Sequence, residues 1–131
     1  MQKKLYLKEV KGKGRAVFCS EFIAEGDIVE VCPVIIVPAG DVNSLHQTKP
    51  TDYCFYFNEE KDSLSLVMGF GSMYNYSQYP NALYVLNVGQ QKMIYTAYCD
   101  IPAHTEICIN YSGEYGKDYS KWIVDRGIDV I

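Results

Sequence analysis

No apolar run in this chain approaches the roughly 18–20 residues that a membrane-crossing helix needs. The longest candidate, Val29 to Val37, is interrupted by Glu30 and Pro33. The N-terminus carries Lys3 and Lys4 with no apolar stretch behind them, so neither a signal peptide nor a transmembrane segment is expected. The expected location is the cytoplasm, or a host cell or nucleus reached by delivery. No C-x-x-C pair occurs among the five cysteines, and His46 and His104 lie far from any ligand-spaced cysteine. A metal site is therefore not expected, and the odd cysteine count suits reduced thiols. Basic charge is scarce too: the formal net charge is −4, with one Lys-rich cluster at the start. That argues against binding nucleic acid through phosphates and suits a basic peptide partner. There is no internal repeat and no low-complexity tract. Nor is there the strand–helix–strand alternation that a dinucleotide-type parallel sheet requires.

What the chain does contain is short β-type segments and tyrosine. With 131 residues and 48% hydrophobic content, one domain with a modest core is expected over 1–131. Its motif-bearing part runs from about 5 to 115, followed by a tail. Strands are predicted at Leu5–Leu7, Arg15–Cys19, Asp27–Val37, Leu64–Met68 and Ile107–Tyr111. Ala82–Val88 and Met93–Cys99 flank Gly89-Gln90-Gln91-Lys92 as a hairpin. Pro38 to Thr51 reads as a loop holding about one helical turn, and Glu59 to Asp62 as a turn. Lys117 to Arg126 reads as a short C-terminal helix ahead of Gly127. The fold class is mainly β, in several small sheets with little helix. The twelve tyrosines suit wet pockets and interfaces, although at least half are expected to pack on the core.

Three segments carry chemistry in their order and spacing. Gly12-Lys13-Gly14-Arg15 precedes a strand, where glycines let a backbone approach a ligand or simply turn. Asn75-Tyr76-Ser77 is followed by Pro80-Asn81-Ala82; alone it reads equally as an Asx turn. Glu106-Ile107-Cys108-Ile109-Asn110-Tyr111 follows the turn at Ala103-His104-Thr105. In this order the three resemble the SET domain, closest in organisation to the small stand-alone SET proteins of viruses and bacteria. Tyr76 stands where that family usually has histidine.

The resemblance implies a β-clip fold with a C-terminal pseudoknot, and an S-adenosylmethionine-dependent protein-lysine methyltransferase acting on a lysine-containing protein or peptide, such as a histone tail. Tyr111 would be catalytic. Lys13, Gly14 and Arg15 would line the cofactor through main-chain atoms, with Asn75, Tyr76, Tyr53, Tyr111 and Tyr115 completing its site. Tyr53, Phe55, Tyr95 and Tyr115 would form the lysine channel, and Tyr115 or Trp122 would cover the adenine. A homodimer that shields exposed strand edges is a further expectation. Methyl transfer requires a neutral amine, and free lysine has a pKa of about 10.4. A desolvated aromatic channel beside a sulfonium lowers that value. No nucleophilic cysteine, metal or carboxylate pair is required. Two other readings stay open on the residues: a SET-fold module that binds peptide or cofactor but turns over poorly because of Tyr76, and a small β interaction domain.

Overall fold

The structure is a computed structural model that describes residues 4–57, 62–119 and 121. Nine strands and two short helical segments are present among them. The β-branched and aromatic runs form the strands, and glycine-bearing turns divide them. Leu5–Val10 (β1) and Gly14–Cys19 (β2) make an antiparallel pair, folded back at Gly12 and Gly14, both at φ +82°. Ile28–Val37 (β3) is the longest strand and the middle of a five-stranded antiparallel sheet. On one side it pairs with Leu64–Val67 (β5), which pairs with Phe55–Tyr56 (β4). On the other it pairs with Lys92–Ala97 (β8), hairpinned to Ala82–Asn87 (β7). The hairpin falls within two residues of its predicted bounds.

The stretch read as a loop is more helical than one turn. Ala39–Leu45 (α1) is a seven-residue helix, and Lys49–Tyr53 is a 3-10 helix. Neither buries a side chain, so no apolar periodicity marks them in the sequence. Asp41 in the first turn of α1 complements the helix dipole. The predicted turn at Glu59–Asp62 and the predicted C-terminal helix fall largely outside the described residues.

The third sheet positions the site. Asn75–Tyr76 (β6) pairs in parallel with Cys108–Ile109 (β9). The stretch after β9 then wraps back over β6. Gly116 N–H donates to the Gln78 carbonyl at 2.8 Å, and Gln78 Nε2 donates to the Gly116 carbonyl at 2.9 Å. Asn110 Nδ2 reaches the Lys117 carbonyl at 2.8 Å. The core beneath comprises Val17, Val29, Tyr74, Met93, Tyr95, Ile107 and Ile109 among others, so all three sheets share it.

Candidate active site

Parallel pairing of β6 with β9 sets Glu106 beside Asn75, because Glu106 lies two residues ahead of Cys108, the partner of Asn75. One Glu106 carboxylate oxygen pairs with Lys13 Nζ, and the other accepts from Asn75 Nδ2 at 2.8 Å. Asn75 Nδ2 also donates to the Arg15 carbonyl at 3.0 Å. Asn81 holds the Glu106 backbone in place. Its Nδ2 donates to the Glu106 carbonyl at 2.8 Å, and its Oδ1 accepts from Cys108 N–H at 2.9 Å. Three segments distant in sequence, the Gly12–Gly14 turn, β6 and the stretch leading into β9, thus meet at one carboxylate. Open space adjoins this junction: a Cβ built on Gly14 would meet nothing within 4 Å. Nearby, burial pushes the Cys108 thiol up to about 12, with the Glu106 charge acting the same way against the opposing Lys13. It therefore stays protonated and is a poor nucleophile.

Tyr111 meets the Tyr74–Asn75 peptide at its carbonyl. Its hydroxyl donates to the Tyr74 carbonyl at 3.0 Å. Its own carbonyl accepts from the Tyr84 hydroxyl at 3.0 Å, and its ring meets Tyr76 edge-on at 5.5 Å. Burial raises the Tyr111 pKa, and the nearby Glu106 carboxylate adds to the effect. The phenol therefore keeps its proton at neutral pH, which makes it a hydrogen-bond donor and orienting group rather than a base.

The other predicted residues divide into groups. Phe55 packs edge-on against Tyr84 at 4.9 Å; Tyr84 lies 6.1 Å from Tyr95, and Tyr95 lies 4.7 Å from Tyr74. This forms a continuous aromatic wall. Tyr95 is fully buried, with its hydroxyl donating to the Gly71 carbonyl at 3.0 Å. Tyr53 ends the 3-10 helix and borders an apolar cavity of about 410 Å³ with Pro50, Met68 and Met73. Tyr115 stands apart from this wall. It is 45% exposed, stacked on Tyr98 at 4.3 Å and edge-on to Tyr79 at 5.6 Å. Tyr76, in the position of the usual histidine, turns inward. Its hydroxyl donates to the Lys117 carbonyl at 3.2 Å and accepts from Tyr119 N–H at 3.1 Å. Trp122 lies outside the described residues.

Sequence reasoning gave no role to Glu30, Tyr74 or Tyr84, and read Glu106 only as part of a motif. Glu30 did carry a signal: it is an acid inside an apolar strand, and such a residue stays there only when its oxygens are satisfied. The pairing of Lys13 with Glu106 spans 93 positions and left no local trace.

A mainly β chain is the architecture of a SET domain when a glycine turn, an Asn-bearing strand and a half-buried tyrosine just after β9 converge around one parallel pair. The SET domain family model matches residues 14–112, and the chain belongs to that family. It is 29% identical over 108 residues to the Schizosaccharomyces pombe histone-lysine N-methyltransferase specific for H3 lysine-37, covering 82% of this chain and 72% of that protein. A crystal structure of a Plasmodium falciparum protein, described as a candidate histone methyltransferase, is 31% identical with a TM-score of 0.70. That match covers 89% of this chain and all of that one. Chaetomium Polycomb Repressive Complex 2, in an autoinhibited conformation bound to S-adenosylmethionine, shares the fold at a TM-score of 0.70 and 20% identity, with 97% of this chain and 17% of that chain covered. Family and relatives together support a protein-lysine methyltransferase. Among the described residues, no cluster of histidine, cysteine or acidic side chains is arranged to hold a metal. No helix there is long and apolar enough to cross a membrane.

Proposed function

We propose that this protein transfers a methyl group from S-adenosylmethionine to a lysine side chain of a protein, with a histone tail as the first candidate. The observation that carries this reading is the Tyr74–Asn75 peptide unit: the Tyr111 hydroxyl donates to its carbonyl, and the Asn75 side chain joins the Lys13–Glu106 network. In-line transfer requires the methyl donor and the amine to be held within short reach of one another, so groups gathered around one peptide unit suit it.

The donor set suits the proposed cofactor. Its amino-acid end carries one cation and one anion, and the turn offers a lysine ammonium, a carboxylate, a carboxamide and free space at Gly14. In this reading Lys13, Gly14, Arg15 and Asn75 hold that end. Tyr76 contributes main-chain atoms while its side chain anchors the tail, which accounts for its standing where histidine is usual. Tyr53 and Tyr115 border the remainder of the cofactor site. Bound there, S-adenosylmethionine supplies a sulfonium-activated methyl group and leaves as S-adenosylhomocysteine.

This chain's own residues then handle the amine. Tyr53 and Phe55 offer aromatic faces to the lysine stem, which favours ring contact and loss of water, and the buried Tyr95 backs the wall behind them. Desolvation lowers the lysine pKa, so the neutral amine becomes accessible and its proton passes to solvent. Tyr111, kept protonated by burial, orients the lone pair. Tyr115, 45% exposed, completes the proposed channel at its solvent-facing end. The negative net charge favours a basic partner. Pairing of two copies through exposed strand edges belongs to the same proposal, and sedimentation should give twice the chain mass.

The test combines calorimetric titration with S-adenosylmethionine and labelling of core histones by a tritiated methyl donor. Saturable binding and lysine labelling are expected, with Tyr111→Phe lowering the rate about 100-fold while binding persists. Binding without any labelling would favour the weakly active module. Labelling unchanged in Tyr111→Phe would remove that residue from the reaction.

A further inference from the structure

The mechanism above leaves one buried carboxylate unused. Glu30, the third residue of β3, is only 5% exposed. An ionisable group there is tolerated when strong donors meet it. Two do, and both come from the turn leading into β6. Tyr74 donates its hydroxyl to Glu30 Oε1 at 2.6 Å, and Phe70 donates its backbone N–H to Oε2 at 3.0 Å. The carboxylate therefore grips the turn at its start and at its end.

The turn is built to allow this approach. Gly69 has φ +66°, and a Cβ there would fall 2.5 Å from Glu30 Oε2. A Cβ on Gly71 would collide with Val67 and come to 3.0 Å from the Tyr95 hydroxyl, the group that holds the Gly71 carbonyl. The glycines are needed because side chains of the sheet, Glu30 at Gly69 and Val67 with Tyr95 at Gly71, press directly on the turn's backbone. The residue pinned by Glu30 is the same one whose carbonyl receives the Tyr111 hydroxyl. Fixing the Tyr74 side chain fixes the orientation of its peptide unit, and with it the direction of the Tyr111 O–H.

We propose that Glu30 is a positioning residue for methyl transfer: through Tyr74 it sets the carbonyl that orients the Tyr111 hydroxyl. This rests on the assignment of Tyr111 above. A buried acid that only stabilised the sheet would protect the fold without acting on the reaction geometry.

The experiment uses the full chain with tritiated S-adenosylmethionine and recombinant core histones. Tyr74→Phe keeps the ring and removes only the hydroxyl. It should lower kcat about tenfold while KM for histone and Kd for the cofactor stay within twofold. The same change in a Tyr111→Phe background should lower the rate less than twofold, because residues acting in series do not multiply. Where Tyr111→Phe leaves no measurable rate, the split between kcat and KM decides. Glu30→Gln, nearly isosteric, should shift kcat in the same direction, and it carries the test if Tyr74→Phe melts below the assay temperature. Equal losses in both backgrounds, an unchanged kcat, or a loss confined to thermal stability or KM would overturn the proposal. Wild-type protein that labels no histone while binding cofactor would instead strike the functional reading, and this inference with it.

Discussion

Replacing Glu106 by alanine tests the junction on which the site depends. Glu106 and Lys13 form a close ion pair with side chains 17% and 12% exposed, so solvent does little to screen it. Removing the acid strands the Lys13 ammonium and takes the carboxylate away from Asn75. Breaking one side of a buried pair costs about 3–5 kcal/mol, mostly because the remaining charge goes uncompensated. Partial exposure places this case at the lower end, at about 3 kcal/mol. For a chain of this length the melting temperature should fall by about 10 °C. Lys13→Met combined with Glu106→Gln removes the attraction without leaving a buried charge, and should cost about 1 kcal/mol. Urea denaturation gives both free energies, and titration with S-adenosylmethionine should show weaker binding in Glu106→Ala as Asn75 loses its orientation. A cost below 1 kcal/mol for Glu106→Ala, or a double variant less stable than the single one, would refute the reasoning.

Two further outcomes follow from packing and burial. Gly71→Ala should destabilise the protein by about 1–3 kcal/mol, since the new methyl must displace Val67 and press on the Tyr95 hydroxyl; urea midpoints measure this, and an unchanged midpoint would contradict the close approach. Stability should also decline in alkali. The folded state holds the Cys108 proton up to about pH 12 against an ordinary thiol value near 9, and burial raises Cys32, Tyr74, Tyr84, Tyr95 and Tyr111 in the same direction. Below about pH 8 these groups are protonated in both states and add no slope. Above 9 the unfolded chain releases protons that the folded one keeps, so stability falls by up to about 1.4 kcal/mol per pH unit for each group. Urea midpoints at pH 7, 9 and 10 should drop in that order, and a flat or rising series would show the groups to be accessible.

Much of the fold was legible because it is local. The β3 run, the β7–β8 hairpin and the Gly12–Gly14 turn follow from side-chain type, alternation and glycine. The helices between Pro38 and Tyr53 were harder to read, since they bury nothing and leave no amphipathic stripe. At the candidate site, Asn75 and Tyr111 could be singled out from motif order. The fold stacks Tyr115 on Tyr98 beside Tyr79, a pairing that motif order does not reveal. Ring-to-ring contacts depend on how the last segment returns across β6, and nothing in its composition encodes that path.

The amino-acid order alone determined the β character, the turns and the chemical types available: a phenol, a carboxamide, a glycine-flanked lysine and a lone acid in an apolar strand. Tertiary structure alone decided the pairings. Lys13 meets Glu106 across 93 positions, and Glu30 meets Tyr74 across 44. Such partners are chosen by strand register and the parallel β6–β9 crossing, which bring distant side chains to one depth. Burial then obliges each polar group to use the partner it finds there.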